Sequence, residues 1–368
     1  MRAFVLLLPL LSVCCASFAQ ESKDKKNDWV AEDLRGKVQS VTIRGFRAEG
    51  GIQGSVLKGS LIHTTVKKYN NSGYLLESTS SIGGNKIGTY TMPFRSARIA
   101  YKYDKYNNLL SSCSYNTQGR LEDSSIHEVD KLGNRIIWKI FKGDGTQEWE
   151  YVSEYDNAGN LLEVNDYHWS KLISRHTYRY NDDSKCTMEG EYEPDGRLKM
   201  KKMNKYDEKG NKMETIDFNG SGNFNARHTY GYNDWGNVIE EREYKEDGSD
   251  RHTKILREFD NQDHIIELRQ FDENGKLVYL GKFDKYDNHL ADITYGPDGS
   301  VREKVTAEYK YDAYGNEIEE LLKLAERVPA TKSVYKYEYD YMGNWIKKTV
   351  FEDGDPVRMT ERDLVYYE

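Results

Sequence analysis

The chain has few cysteines, no long apolar run, no stripe of one charge and none of the familiar catalytic signatures, and each absence removes a class of protein. Of four cysteines in 368 residues, Cys14 and Cys15 fall in the opening segment, leaving Cys113 and Cys186 for the rest. In a flat antiparallel sheet these two stand about 29 Å apart, whereas a disulfide tolerates roughly 7 Å between Cα atoms. Two unpaired thiols are therefore expected, not a disulfide-stapled scaffold. No apolar stretch reaches the roughly 20 residues of a membrane-spanning helix. The 53 basic and 61 acidic residues, net −8, are mixed along the chain. No basic stripe is available to neutralise phosphates, which argues against a nucleic-acid partner. Gly-x-Ser-x-Gly, a phosphate-binding glycine loop before a helix and His-Glu-x-x-His are all missing. The acidic loops Asn181-Asp182-Asp183 and Asp353-Gly354-Asp355 lack the spaced ligand order of a calcium loop. No catalytic residue, metal site or cofactor is expected.

What is present is tyrosine, 29 residues of it, and a repeat built on Tyr-Asp-x-x-Gly-Asn. Copies or degenerate relatives begin at Tyr103, Val129, Tyr155, Tyr180, Tyr206, Tyr232, Phe259, Phe283, Tyr311 and Tyr339, at steps of 24 to 28 residues. A steady step of this length means one supersecondary unit copied down the chain. Asp first and Gly fourth suit a type I turn, in which the Asx side chain bonds nearby backbone and the glycine takes a positive φ. Gly159, Gly210, Gly236, Gly315 and Gly343 hold that place. A second turn follows half a repeat later, as in Glu193-Pro194-Asp195-Gly196. Between turns the residues alternate, as in Val334-Tyr335-Lys336-Tyr337-Glu338-Tyr339, which is strand periodicity.

The expected fold is thus all-β, an antiparallel β-meander of about ten two-strand repeats of roughly 26 residues, curled into an open spiral if it curls at all. Residues 1–19 read as a signal peptide, with Arg2, an apolar run from Ala3 to Val13, and Ala19 at the cleavage site. A lipid anchor at Cys14 is the second reading, because Leu11-Ser12-Val13-Cys14 partly resembles a lipobox. Residues 20–32 read as a disordered tail, 33–92 as an irregular N-terminal cap with strands near Val38–Phe46 and His63–Tyr69, and 93–368 as the repeat array with a closing strand. The run Ile318 to Pro329 fits either a short helix or a strand and loop; the surrounding period favours the strand.

Tyr-x-Tyr-Asp-x-x-Gly-Asn with a Gly-closed turn half a repeat later resembles the YD repeat of the RHS family, over about Ala100 to Tyr366. The resemblance implies a β-strip that can wind into a shell; some such proteins are associated with carbohydrate, and the larger ones enclose a C-terminal toxin. Here Asp355-Pro356 is followed by Val357-Arg358 where the family's self-cleavage motif has Gly, and no C-terminal toxin domain is expected. The segments Tyr192–Leu198 and Phe271–Leu277 are also similar to MORN-type repeats.

Asp156, Asp207 and Asp312 are read as turn residues rather than catalytic acids. His176 and His228, each in Arg-His-Thr-Tyr, fall two repeats apart, roughly 19 Å in a flat meander, too far to share a metal. Trp138 and Trp345 are expected to pack on strand neighbours. Trp235 and Tyr314, at the third place of their turns, are the candidate ligand-stacking residues. The functional expectation is a non-enzymatic extracytoplasmic scaffold, periplasmic or secreted, that binds a protein or glycan at the cell envelope. The alternative is a secreted enzyme or toxin-associated factor using acidic loops.

Overall fold

In the YD turns one aspartate organises five residues. Asp156 Oδ1 accepts from the backbone N–H of Ala158 at 2.9 Å and of Asn160 at 2.8 Å, while its Oδ2 accepts from the Asn160 side chain at 2.8 Å. The Gly159 N–H donates to the Asp156 carbonyl at 3.0 Å, which requires the left-handed φ of +84° found there. The same pattern recurs at Asp207 and Asp312. Where a degenerate copy lacks glycine, Asn107, Ser184, Asp263 and Asp287 take the positive φ; three of these are the Asn and Asp residues that tolerate it best. Each turn ends in a bulge, as the register shift between Glu154 and Tyr155 shows.

A computed structural model describes residues 27–82, 95–244, 250–324 and 328–368, together with a small ladder of Lys86–Ile87 on Tyr90–Thr91. The expected signal peptide, residues 1–19, and the alternative anchor site at Cys14 lie outside the described residues. Twenty-four strands form one sheet, each antiparallel to its neighbours and joined to the next in chain order. The sheet does not end in free edges. The first strand, Val38–Gly50, pairs with the last, Asp355–Tyr366, from Val38 opposite Tyr366 to Arg47 opposite Arg358. The molecule is therefore a closed 24-stranded β-barrel, and the open spiral expected from the repeat is corrected. The physical reason is that closure depends on the two end strands recognising each other, and the first of them lies outside the repeat.

Two further expectations change with it. The residues assigned to an N-terminal cap form the barrel strands Val38–Gly50, Val56–Tyr69 and Leu75–Ile82. The end of the presumed tail is packed: Asn27 caps a one-turn helix, Asp28–Ala31, and Trp29 is buried at 9% exposure. The ambiguous run after Ile318 is extended, in the strand Glu317–Lys323, while 325–327 lie outside the described residues.

Closure is reinforced by residues 27–37, which lie between the turn at Asn70 and the turn at Asp340. Trp29 Nε1 donates to the Val38 carbonyl at 2.8 Å and the Asn27 side chain donates to the Ser72 carbonyl at 2.9 Å. On the other side, the Arg35 N–H donates to Asn344 Oδ1 and the Asn344 amide donates back to the Arg35 carbonyl, both at 2.8 Å. Trp29, Leu34, Val38, Val41 and Tyr69 form the apolar cluster beneath this wedge.

Elsewhere the apolar clusters are small, such as Leu161, Val164 and Tyr178. Twenty-four strands at about 4.8 Å each give a wall roughly 115 Å around, so neighbouring strands and not opposite walls supply most contacts. One face of the wall carries the repeat tyrosines, such as Tyr230 and Tyr232, whereas Tyr192 and Tyr244 lie on the other, paired with Arg175 and Arg227. By strand alternation the other carries cross-strand ion pairs, including Lys205–Glu214–Arg227 at 2.6 and 2.7 Å and Lys310–Glu319–Lys332 at 2.9 Å each. Cys113 and Cys186 are unpaired thiols on separate strands.

Candidate functional site

The YD turns all lie at one rim of the barrel, because each joins a strand that ends in the repeat tyrosine to the strand that follows. The hydroxyls of most repeat tyrosines then reach back to the preceding turn. Tyr155, Tyr206 and Tyr232 donate to the carbonyls of Arg135, Cys186 and Lys212, at 3.2, 2.7 and 2.7 Å. Towards the C-terminus Tyr311, Tyr339 and Tyr366 donate instead to Asp284, Asp312 and Asp340. The rim is thus a chain of turns cross-linked by phenols, and the middle residues of each turn project from it.

Trp235 is 70% exposed, its backbone N–H held by Asn233 Oδ1 at 3.1 Å. Tyr314 is 46% exposed; its ring lies 4.6 Å from that of Tyr339, and the Arg35 guanidinium stands 4.7 Å above it. The two are three turns apart, roughly 29 Å along the wall, so the structure does not bring them together. Gly159, Gly210, Gly236, Gly315 and Gly343 have φ between +81° and +87°.

Further exposed residues stand at the centres of other turns, and only the three-dimensional arrangement sets them beside Tyr314 on the rim. Tyr106 (72% exposed), Leu132 (65%), Tyr286 and Met342 occupy the same third place, and Tyr341 (83%) the second. Reading that place in every copy, degenerate ones included, would have found them.

The strand aromatics are used differently. His127, Trp138, Tyr151, Trp149, His168 and Trp169 form a continuous ring-to-ring ladder with centroids 4.4 to 6.1 Å apart. His127, Trp138, Tyr151 and Trp149 are stacked within 25° of parallel, so their faces are occupied by each other rather than offered to a sugar. Trp345 packs between Tyr337 at 6.3 Å and the Arg362 guanidinium at 4.2 Å. His176 faces Asp166 Oδ2 at 3.3 Å. Among the described residues no group of three metal-ligating side chains forms.

Several of the turn acids are held as carboxylates. Hydrogen bonds from the Asn160 side chain and backbone hold Asp156 below the usual range, and those from Asn211 do the same for Asp207. Glu317 differs: burial, then the charge of Glu320, pushes its carboxyl up. Lys348, lowered by burial, lies over the Tyr335 ring at 4.5 Å and the Tyr337 ring at 5.3 Å. This group sits on adjoining strands of the tyrosine face, not in an acidic loop.

No family model and no curated protein matches the chain. Among solved structures it is similar to a chain of the Photorhabdus luminescens Tc holotoxin pore, with 10% identity, a TM-score of 0.30, and coverage of 80% of this chain and 20% of that one. It is also similar to TcdB2-TccC3 without its hypervariable C-terminal region, with 11% identity, a TM-score of 0.31, and coverage of 81% and 18%. A porin-like protein from Bacteroides uniformis gives 10% identity and a TM-score of 0.24 over 89% of this chain and 96% of that one. The chain spans about a fifth of the length of the Tc toxin chains it matches. At these identities and TM-scores the likenesses decide neither activity nor partner.

Proposed function

We propose that this protein is a non-enzymatic, extracytoplasmic barrel scaffold of RHS-like YD repeats that binds a protein or glycan of the bacterial envelope through side chains projecting from its turns. The observation that carries this reading is the division of labour within the turns. Their carboxylates are consumed by their own backbone N–H groups and held ionised, as at Asp156 and Asp207, while Trp235 is left exposed beside them. A general acid needs a raised pKa and a substrate within reach, and these turn acids are shifted the other way. Glu317 is raised, but it lies beside Lys348 and Tyr335 on the wall and not in the acidic loops that the enzymatic alternative invokes.

The test is a binding screen of the exported protein against envelope glycans and envelope proteins, beside Trp235→Ala. Binding to one class, weakened about tenfold in the variant as for a buried aromatic anchor, is the expected result. Failure to bind either class would overturn the scaffold reading.

A further inference from the structure

Eleven first turns among the described residues, from 70–74 to 340–344, make up one rim together with residues 27–37, and the negative charge of the chain is concentrated there. They hold 17 acidic and 7 basic residues, while all other positions together hold 44 acidic and 46 basic. The chain's net −8 is thus −10 at this rim and slightly positive elsewhere. Within the rim the excess is greatest on the arc that carries Trp235. The turns at 156–160, 181–185, 207–211, 233–237 and 260–264 have eight acids against Lys185 and Lys209. Strand positions within two residues of these turns add Glu154 and Glu258 against Arg179, Lys205 and Lys212, so the arc holds ten acids and five basic residues. His264 is turned to Asp260, with Nδ1 3.1 Å from Oδ2. Asp182, Asp183, Glu208 and Asp234 are exposed and form no ion pair among the described residues.

Aromatic rings on the rest of the rim already hold cations. Lys105 Nζ lies 4.8 Å above the Tyr106 ring, Lys285 Nζ 4.9 Å above that of Tyr286, and the Arg35 guanidinium 4.7 Å above that of Tyr314. Trp235 is 70% exposed and has no cation over its ring among the described residues, although indole attracts cations more strongly than phenol does. Neighbouring turns stand two strands, about 10 Å, apart, a distance comparable to the screening length of about 8 Å at physiological salt. Glu208, Asp234 and Asp263 therefore reinforce one another around that ring.

Resting on the scaffold reading above, we propose that the partner engaged at Trp235 is a protein presenting a basic segment, with a Lys or Arg side chain seated on the Trp235 ring among Glu208, Asp234 and Asp263. Charge selects this occupant: the acids stand on the arc that leaves its aromatic ring uncovered, while the rest of the chain is close to balanced. Length selects a polypeptide over a small cation. The arc extends over five turns, about 40 Å, and a small cation would meet one of them. An extended chain covers the roughly 10 Å between turns in about three residues, so basic side chains spaced along it reach successive turns. A neutral glycan would stack on the ring but make no use of the surrounding charge, and an anionic one would be repelled.

The experiment is fluorescence anisotropy of the exported protein, its N-terminus established by mass spectrometry, with a labelled Lys/Arg-rich peptide, a peptide of the same length with Glu at the basic positions, and a neutral oligosaccharide. We expect the basic peptide to bind, the other two not to bind, and the affinity to fall in high salt. Trp235→Ala should weaken binding about threefold or more. Glu208→Gln/Asp234→Asn/Asp263→Asn should weaken it too and flatten the salt dependence; asparagine tolerates the positive φ of +67° at that last position. Unaltered denaturation midpoints show that the variants are folded. Glu273→Gln, which removes a charge from an exposed second turn, should change nothing. No binding of the basic peptide, equal binding of the acidic peptide or the oligosaccharide, or basic-peptide binding that neither arc variant reduces would overturn the proposal. An envelope glycan, or an envelope protein held independently of salt and of the arc acids, would keep the scaffold reading and remove this one. A basic peptide held at Trp235 with no envelope partner found would do the reverse.

Discussion

At the scale of single residues, the aspartate of the YD turn does three tasks at once, two towards backbone N–H groups and one towards the asparagine that closes the turn. These donors favour the carboxylate, so the folded-state pKa lies below the ordinary value. A depressed acid contributes stability that is fully present above its unfolded pKa and is lost as pH falls through its folded one. Unfolding midpoints in urea should therefore be flat above about pH 5 and fall below about pH 4, with many turns titrating together. Asp156→Asn/Asp207→Asn should reduce that acid slope while costing little at neutral pH, because asparagine keeps the Oδ1 acceptor. The protein already uses this device: Asn116 Oδ1 accepts from the N–H groups of Gln118 and Arg120, each at 3.0 Å. An unchanged slope in the double variant would show that the acid sensitivity lies outside the turns.

Between elements, the phenols of repeat tyrosines such as Tyr155, Tyr206 and Tyr232 tie their strands to the turn before, near the rim where pairing between second-turn hairpin strands has already stopped. In the hairpin of His289–Tyr295 with Val301–Tyr311, for instance, pairing runs only from Ala291 opposite Thr306 to Tyr295 opposite Val301. Tyr206 donates to the Cys186 carbonyl at 2.7 Å, and burial pushes its own ionisation up to about 12, so it remains a neutral donor. Tyr206→Phe should cost about 1 kcal/mol, the usual net contribution of such a bond. The accompanying rise in amide exchange should be confined to the turns at 181–185 and 207–211, because contacts in this wall are between neighbours. Exchange rising around the whole barrel would mean that the wall opens as one cooperative body.

Much at this scale was legible in the sequence. Asp-x-x-Gly spacing identified the turns, alternation identified the strands, and the surrounding period placed Ile318 on a strand, since each of these is decided by residues within a few positions of one another. Trp235 was identified as a turn residue for the same reason. The segregation of Tyr106, Leu132, Tyr286 and Tyr341 to one side of a rim was not legible, because these residues become a group only when turns far apart in sequence are set around a circle.

On the scale of the whole molecule, the end strands and the wedge of residues 27–37 convert a meander into a barrel. Closure removes both exposed sheet edges, the usual route to pairing with other chains. Trp29 packs on Val38, Val41 and Tyr69 and is hydrogen-bonded to Val38. Trp29→Ala should lower stability by about 3 kcal/mol or more, in the range for a buried tryptophan. It should also deprotect Val38 to Ile43 in amide exchange and raise the oligomer fraction seen by light scattering. A variant that loses stability but stays monomeric with Val38 to Ile43 protected would show that pairing of the end strands alone keeps the barrel shut.

The repeat, the turn chemistry, the all-β class and the exposed positions at the centres of turns were determined by the sequence alone, because each depends on local backbone preference repeated at a constant step. Tertiary structure decided whether the array closes, and which turns come to lie side by side on the rim. Both depend on contacts between chain ends some 300 residues apart, such as Arg35 with Asn344, and no local pattern encodes a contact of that range.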